Sequence, residues 1–439
     1  MQKGALPGFR DFYPEDLALR AHIFETWRRV ATRYGFEEYD GPPLESLELY
    51  TAKSGDEIVG QLYNFVDKGD RPVALRPEMT PTLARMVAAR ANGLKKPIRW
   101  FSLPQLFRYE RQQRGRLREH FQLNCDLIGE PGPLGDAEVI ALSIDVMRAF
   151  GLTEKDVRVR LSDRRVFASL LRAIGIPEAN EEIVFGQVDK VDRSSDESIA
   201  FVLKQPVDWP RGQSEIRVDG LSPKTIDRLL SVIRLKDLDA IAKELGPSAE
   251  VLGPLRETLA ALTAMGLGAY VDVDLTIVRG LAYYTGTVFE LFDAGRTLRA
   301  ICGGGRYDSL TGAMGGVELP AVGFGMGDVV LGELLKEKGK LPTYAGSIDV
   351  FVATESAERM PAALQLTHEL RDAGIRAEFA LGAQTLSKQQ DIAKARNARL
   401  IVTIGADDLQ VKDLQTKAQH AVPLQKAVDS IRMMLGAGH

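Results

Sequence analysis

The sequence predicts an α+β fold in which an antiparallel sheet carries a polar site and a smaller α/β domain follows. Three patterns lead to this prediction: two strands joined by a basic loop over residues 97–129, amphipathic helical segments over residues 178–266, and strands alternating with helices after residue 347. The expected organisation is a first domain over residues 1–335 with a helical insertion over 178–266, a linker over 336–346 and a second domain over 347–439.

Composition limits the classes of protein that the chain can represent. Its 439 residues suffice for two or three domains, and its 26% charged and 45% hydrophobic residues are ordinary for a globular protein. With a net charge of −4, any contact with nucleic acid depends on local basic patches. The two cysteines, Cys125 and Cys302, and the lack of CxxC or HExxH patterns argue against disulfides and zinc.

The N-terminus lacks the apolar segment of a signal peptide, and no uncharged apolar run of ~18 residues is present to span a bilayer. We therefore expect a reduced, cytoplasmic location without a membrane partner.

The strand that follows the basic loop has the clearest pattern in the chain. Its polar and apolar side chains alternate, in the order His120, Phe121, Gln122, Leu123, Asn124, Cys125, Asp126 and Leu127. A period of two places the polar residues on one face, which then meets a site or solvent. On the preceding strand, Arg108 and Glu110 are two residues apart and are expected to share a face.

The loop between these strands concentrates positive charge, with guanidiniums at Arg111, Arg114, Arg116 and Arg118. Such groups repel each other unless anions separate them, so the loop favours a phosphate-rich ligand. A solvated hairpin tip is the alternative, and for an isolated loop it would be preferred. The polar strand face next to this loop favours a binding site instead.

Local signals define the helices that flank the sheet. Pro14, followed by two acidic residues, predicts the start of a helix that Gly35 ends. A hairpin over residues 61–76 leads into LRPEMT, where Thr80 and Pro81 predict the N-cap and first residue of a second helix. Further on, Ser162 is predicted to cap a helix ending at Gly175. The buried face of the first helix is predicted to comprise Leu19, Ile23, Trp27, Val30 and Tyr34.

Four segments resemble the signature motifs of one enzyme family. FRYERQQRGRLREHFQ, at residues 107–122, resembles motif 2 of the class II aminoacyl-tRNA synthetases, in the form carried by the histidyl-tRNA synthetase family. VRGLAYYTGTVFE, at 278–290, resembles that family's histidine-specific motif, and CGGGRYD and AVGFGMGDVVLGELL resemble its GGGRYD element and motif 3. The triple glycine also permits close approach of a ligand, as in phosphate-binding loops.

The resemblance implies a two-step histidine–tRNA ligation. ATP and L-histidine, with Mg²⁺, give histidyl-adenylate, and the histidyl group passes to the 3′ end of tRNA(His). It also implies a class II catalytic domain with an insertion that reaches toward the tRNA, and an anticodon-binding second domain. The first helix and the GPP sequence at 41–43 resemble motif 1, which implies a homodimer.

The resemblance also implies the roles of individual residues. Arg279 and Arg108 are the implied catalytic residues, and no resident metal is implied. The implied ATP-binding residues are Arg108, Glu110, Arg116 and Arg118. The implied histidine-binding residues are Glu78, Thr80, Arg108, Gln122, Asp126, Arg279, Tyr283 and Tyr284. Among these, Glu78, Thr80, Gln122 and Asp126 are expected at the amino group, where a buried ammonium needs a charged partner, and the tyrosines border the imidazole.

Three positions depart from the family pattern. Ala282 replaces a common Asp, Asp126 replaces a more usual Glu, and Val330 lies where motif 3 carries an ATP-contacting Arg. Loss of one transition-state donor typically costs ~10²–10³ in rate. Either another cation covers the phosphates, for which we predict Arg306, or catalysis has been lost.

A regulatory protein is therefore the alternative. Paralogues of this family that do not ligate act as the regulatory subunit of ATP-phosphoribosyltransferase in histidine biosynthesis. Val330 favours that class, whereas the complete second domain and four motif residues, Arg108, Glu110, Gln122 and Arg279, favour the ligase. Ligation of another amino acid is a third option.

Overall fold

The computed structural model describes all residues except 1–3, 52–58, 112, 193, 212–213, 279–282, 310–311, 313–316, 345, 347, 383, 406–407 and 437–439. The chain forms two compact units, Met1–Leu341 and Pro342–His439.

The first unit is organised around one large sheet. The strands of the whole unit, which include those of two smaller sheets, are β1 (Glu37–Glu38), β2 (Leu44–Ser46), β3 (Tyr63–Val66), β4 (Pro72–Leu75), β5 (Ile98–Ser102), β6 (Gln105–Phe107), β7 (Glu119–Ile128), β8 (Val157–Asp163), β9 (Val207–Arg211), β10 (Ser214–Val218), β11 (Val271–Val273), β12 (Thr287–Asp293), β13 (Cys302–Arg306) and β14 (Ala321–Gly327). The large sheet has the order β1-β5-β7-β14-β13-β12-β8-β11, and β6 also pairs with β7. Its pairings are antiparallel except for β1 with β5 and β11 with β8.

Helices cover this sheet and form the insertion. They are α1 (Pro14–Arg33), α2 (Leu47–Thr51), α3 (Thr80–Arg90), α4 (Pro133–Ala149), α5 (Arg164–Ala173), α6 (Glu181–Val188), α7 (Asp196–Lys204), α8 (Pro223–Val232), α9 (Leu238–Leu245), α10 (Gly253–Ala264) and α11 (Asp328–Glu337). Trp27 of α1, Leu123 of β7 and Ile140 of α4 belong to one apolar core, so the apolar face of β7 is buried beneath helices.

The observed ends of the helices can be compared with the starts and ends that local sequence signals predicted. α1 begins at Pro14, and Gly35 follows it with a left-handed φ of 74°, as predicted. The cap of α5 was assigned wrongly: Ser162 belongs to β8, and the side chain of Asp163 accepts a hydrogen bond from the Arg165 amide. An Asp next to a Ser offers two equivalent capping groups, so their order in sequence does not decide between them.

Two further corrections concern α3 and the insertion. α3 already includes Thr80, with Met79 before it, and no side-chain cap is made there. The insertion, predicted as helical, also contains the antiparallel hairpin of β9 and β10. Strands of five residues are too short to stand out from a helical background by periodicity.

The second unit has the predicted α/β architecture. Its strands are β15 (Val350–Thr354), β16 (Ala377–Phe379), β17 (Leu400–Ile404), β18 (Leu409–Asp413) and β19 (Gln419–Val422), and its helices are α12 (Met360–Asp372), α13 (Leu386–Ala395) and α14 (Ala427–Gly436). They form a five-stranded sheet in the order β16-β15-β17-β18-β19, in which β15 pairs in parallel with both of its neighbours. Apolar side chains from this sheet and from α12 and α14 form a core of their own.

Among the helices of the described residues, none has the length and apolar character needed to cross a membrane.

Candidate active site

The floor of the candidate site is the polar face of β7, and glycines on β14 make room above it. Across the antiparallel pair, Gly323 lies opposite Asp126, and Gly325 lies opposite Asn124. A Cβ atom on Gly323 would collide with the Asp126 carboxylate, and one on Gly325 would lie 2.6 Å from Cδ of Gln122. The missing side chains therefore let Asp126 and Gln122 extend over β14. The alternation of glycines in AVGFGMG signals this role, which our sequence analysis missed.

A buried carboxylate closes one end of the floor. Tyr307 donates a hydrogen bond to Oδ1 of Asp126, and both side chains are buried. Burial raises the pKa of Asp126 to about 7, and the hydrogen bond from Tyr307 only partly opposes this effect. Asp126 therefore titrates near neutral pH.

The predicted histidine-binding residues from three segments meet at this end. Tyr283 donates its hydroxyl hydrogen to Oε2 of the buried Glu78 at 3.1 Å. The ring centroid of Tyr283 is 5.0 Å from that of Tyr284 and 6.0 Å from that of Tyr307. Glu78 bonds to Tyr283, Tyr283 packs against Tyr307, and Tyr307 bonds to Asp126. The two carboxylates therefore lie beside the same cluster of tyrosine rings.

Arg108 is anchored directly next to Glu78. Its Nε donates to the carbonyl of Pro77 at 2.9 Å, and its amide donates to the carbonyl of Arg118 at 2.9 Å. β6, however, ends at Phe107, and the Glu110 amide donates to the Arg108 carbonyl at 2.8 Å. The prediction that Arg108 and Glu110 share a strand face is therefore wrong, because a tight turn follows the strand.

The basic loop is folded over the other end of the floor. Nε of Arg116 lies 2.8 Å from Oε2 of the buried Glu110, an ionic contact without hydrogen-bond geometry. The Arg118 guanidinium lies over the ring of Tyr109, 4.2 Å from its centroid, and its Nε donates to the Glu110 carbonyl. Nε and Nη2 of Arg114 pair with Glu333 and Glu337 of α11 at 3.0 and 2.6 Å.

The electrostatics of this end favour an anion. Burial, together with the positive charges of Arg108, Arg10 and Arg116, lowers the pKa of His120 to about 3. His120 is consequently neutral at physiological pH. The same positive field that disfavours an imidazolium stabilises phosphate groups above it.

Arg306 does not fit the phosphate-binding role predicted for it. Its side chain is 2% exposed, and Nη2 pairs with Asp136 at 2.7 Å while Nη1 lies 3.2 Å from Oδ1 of Asp308. The carbonyls of Glu130 and Gly132 accept its remaining hydrogen bonds. A guanidinium whose charge is already compensated in the core is not available to ATP, so the prediction is corrected.

The triple glycine is also not a phosphate loop. Residues 302–306 form β13, in the middle of the sheet between β12 and β14. A Cβ atom on Gly305 would lie 2.6 Å from the Thr287 carbonyl oxygen and 2.9 Å from the Tyr284 ring. The absence of a side chain at Gly305 therefore allows Tyr284 to pack closely against the strand.

Two of the singled-out positions, Arg279 and Ala282, lie outside the described residues. On either side of them, the Val278 carbonyl accepts a hydrogen bond from Arg164 at 2.7 Å and Tyr283 contacts Glu78. Val330, at the motif 3 position, is buried in the first turn of α11.

Comparison with known proteins finds similarity along nearly the whole chain. A histidyl-tRNA synthetase model matches residues 8–327, and an anticodon binding domain model matches residues 349–434. The chain is 44% identical over 440 residues to the histidine–tRNA ligase of Opitutus terrae, with 98% of each chain covered. It is 39% identical over 422 residues to the chloroplastic/mitochondrial histidine–tRNA ligase of Arabidopsis thaliana, which covers 95% of this chain and 84% of the relative.

Solved structures show the same similarity. The crystal structure of histidyl-tRNA synthetase from Nostoc sp. PCC 7120 superposes with a TM-score of 0.82 at 25% identity, covering 99% of this chain and 100% of that one. With the family model matching most of the chain and relatives above one third identity along its length, the chain belongs to the histidyl-tRNA synthetase family.

Proposed function

We propose that the chain ligates L-histidine to tRNA(His) in two steps. A histidine carboxylate oxygen attacks the α-phosphorus of ATP and pyrophosphate leaves. A hydroxyl of the terminal tRNA ribose then attacks the histidyl carbonyl, and AMP leaves. The observation that carries this proposal is the joint placement of the Glu78–Tyr283 contact and the anchored Arg108 at neighbouring positions on one polar floor.

The order of residues along β7 supports a separate end of the strand for each substrate. The Arg108 backbone bonds to Arg118 at the N-terminal end of β7, where the basic loop and the positive charges of Arg108, Arg10 and Arg116 around His120 favour an anion. Asp126 lies near the C-terminal end, next to the tyrosines. ATP accordingly lies over the first half of the strand and histidine over the second.

Within histidine, each polar group has a matching partner. The α-ammonium and the carboxylate share one carbon, so their partners must be neighbours. Glu78 and Arg108 satisfy this condition, because Arg108 is bonded to the residue that precedes Glu78. We assign Glu78 to the ammonium, with Thr80 and Gln122 beside it. Asp126, first expected at the ammonium, is assigned instead to an imidazole N–H, because it bonds to Tyr307, whose ring lies against that of Tyr283.

Catalysis in this proposal depends on positioning and on charge stabilisation, without a covalent enzyme intermediate. Arg108 clamps the α-phosphate and the histidine carboxylate, and Arg279 balances the negative charge that grows on the α-phosphate. Glu110 receives the adenine amino group, while Arg116 and Arg118 meet the phosphates. For this, Arg116 must exchange its contact with Glu110 for one with ATP.

Mg²⁺ enters as the counter-ion of ATP in this proposal. It usually keeps several waters and binds substrate phosphates together with only one or two protein carboxylates.

The remaining partners follow from family membership. We propose a homodimer that forms through α1 and the following strands, where Leu44, Phe65 and Val66 are exposed apolar residues. The second unit is proposed to bind the anticodon of tRNA(His). A cytoplasmic location suits the two free cysteines.

Histidine-dependent exchange of pyrophosphate into ATP tests the function, with all twenty amino acids compared. We expect exchange with histidine alone. A folded protein that binds histidine but shows no exchange would support the regulatory class instead. Exchange with a different amino acid would overturn the assigned specificity.

A further inference from the structure

We infer that Arg299 is a phosphate-binding residue of this active site and supplies, from a different element, the positive charge that Val330 does not provide. This inference rests on the proposed ligase function and adds one residue to its ATP-binding set.

The position of Arg299 follows from the pairing of β13 with β14. The segment between β12 and β13 carries Arg299 and runs into β13, where Cys302 pairs with Met326. Immediately before this pair, the Gly327 amide donates to the Ile301 carbonyl at 3.1 Å. Arg299 is therefore held beside the junction of β14 and α11, at the start of the helix that contains Val330.

The basic loop brings the two positions together. Gly115, at the loop tip, has a left-handed φ of 74°. A Cβ atom built on it would lie 3.2 Å from Cγ2 of Val330 and 3.7 Å from Cδ of Arg299. Both side chains thus lie close to one backbone position, which places the Arg299 stem near the position where the family carries its arginine.

The loop also fixes the head group of Arg299. Nη2 of Arg299 donates to Oε1 of Gln113, two residues before Gly115 in the loop. Arg116, one residue beyond Gly115, is proposed above to meet the phosphates after it exchanges its contact with Glu110 for one with ATP. Arg299 consequently adds a guanidinium to the phosphate end of the site.

The position of Arg299 relative to β7 predicts which phosphates of ATP it contacts. Arg108 lies at the junction between histidine and ATP and is assigned to the α-phosphate. Arg299 contacts the loop at Gln113 and precedes the end of β13 that lies away from Asp126 and the tyrosines. It therefore contacts the β- and γ-phosphates, which leave as pyrophosphate.

Arg299→Ala tests this assignment, with Arg296→Ala in the same segment as the matched control. Arg296 pairs with Asp192 instead of contacting the loop. A charge-assisted hydrogen bond contributes about 10- to 100-fold in binding, so Arg299→Ala should raise the KM values for ATP and pyrophosphate by that factor. Its KM for histidine should stay within twofold of wild type, and Arg296→Ala should resemble wild type throughout.

A non-hydrolysable histidyl-adenylate analogue separates a phosphate contact from a structural role. The analogue lacks the β- and γ-phosphates, so its Kd should be the same for Arg299→Ala and wild type. Weaker binding of the analogue would indicate a disturbed site and overturn the inference, as would unchanged KM values for ATP and pyrophosphate. If the wild-type protein shows no histidine-dependent exchange, the proposed function fails, which is distinct from failure of the Arg299 assignment.

Discussion

Tyr307 donates a hydrogen bond to Asp126 inside the sheet, so a phenol stabilises a carboxylate that burial has made hard to ionise. Both groups are buried, and burial raises the pKa of Tyr307 as well. The pair places a proton-binding group with a pKa of about 7 in the proposed histidine pocket.

Stability should therefore depend on pH through Asp126. A carboxyl with a raised pKa holds its proton more tightly in the folded state, so its favourable contribution is complete below the unfolded pKa of 3.8 and is lost as pH rises through about 7. Relative to Asp126→Asn, which cannot titrate, wild type should lose on the order of 4 kcal/mol of unfolding free energy between pH 4 and pH 8. Urea unfolding of both proteins across this range measures the difference, and parallel pH profiles would contradict the assigned pKa.

Arg108 should not be replaceable by lysine. Its Nε is used by the Pro77 carbonyl, which leaves the two terminal nitrogens of the planar fork to contact substrate. An ammonium cannot make both contacts, so Arg108→Lys should slow adenylate formation by ~10²–10³. Rapid-quench measurement of the first step checks this prediction. Arg28→Lys, at an exposed ion pair with Glu38, serves as the control. A rate for Arg108→Lys within threefold of that control would show that the guanidinium of Arg108 does not stabilise the transition state.

Gly325 should control the position of Gln122. An alanine there would bring its Cβ within 2.6 Å of Gln122 Cδ, so the amide must turn away from the pocket. Gly325→Ala should raise the KM for histidine about tenfold or more while leaving the KM for ATP near wild type, since one polar contact to a charged group is lost. Gly327→Ala is the matched control, because a Cβ there meets no atom within 4 Å. Equal histidine KM values for the two variants would show that β14 does not shape the pocket.

Patterns with a short period were sufficient to predict much of the architecture. The alternation through Asp126 identifies a strand with one polar face, and the paired strands and helices of the second unit follow from the same kind of signal. These predictions hold because neighbouring residues alone decide the period.

Tertiary contacts account for the errors. Gly303–Gly305 permits either a phosphate loop or a close-packed strand, and only Tyr284 and the neighbouring strands decide between them. Whether Arg306 faces ATP or the core depends on Asp136, which is distant in sequence. On α13, the polar residue Gln389 is buried and bonds to the backbone of Thr354, a partner 35 residues away in sequence.

Removal of the second unit should separate the two steps of the reaction. The site residues discussed above all belong to Met1–Leu341, and the second unit has its own sheet and apolar core. A protein ending at Leu341 should keep histidine-dependent exchange within a few-fold of the full chain. If the second unit binds the anticodon, the same protein should lose at least about 100-fold in kcat/KM for tRNA charging, because most of the contact energy away from the acceptor end is lost. Circular dichroism establishes that the truncated protein is folded. Full charging by this protein would show that the first unit alone recognises tRNA(His).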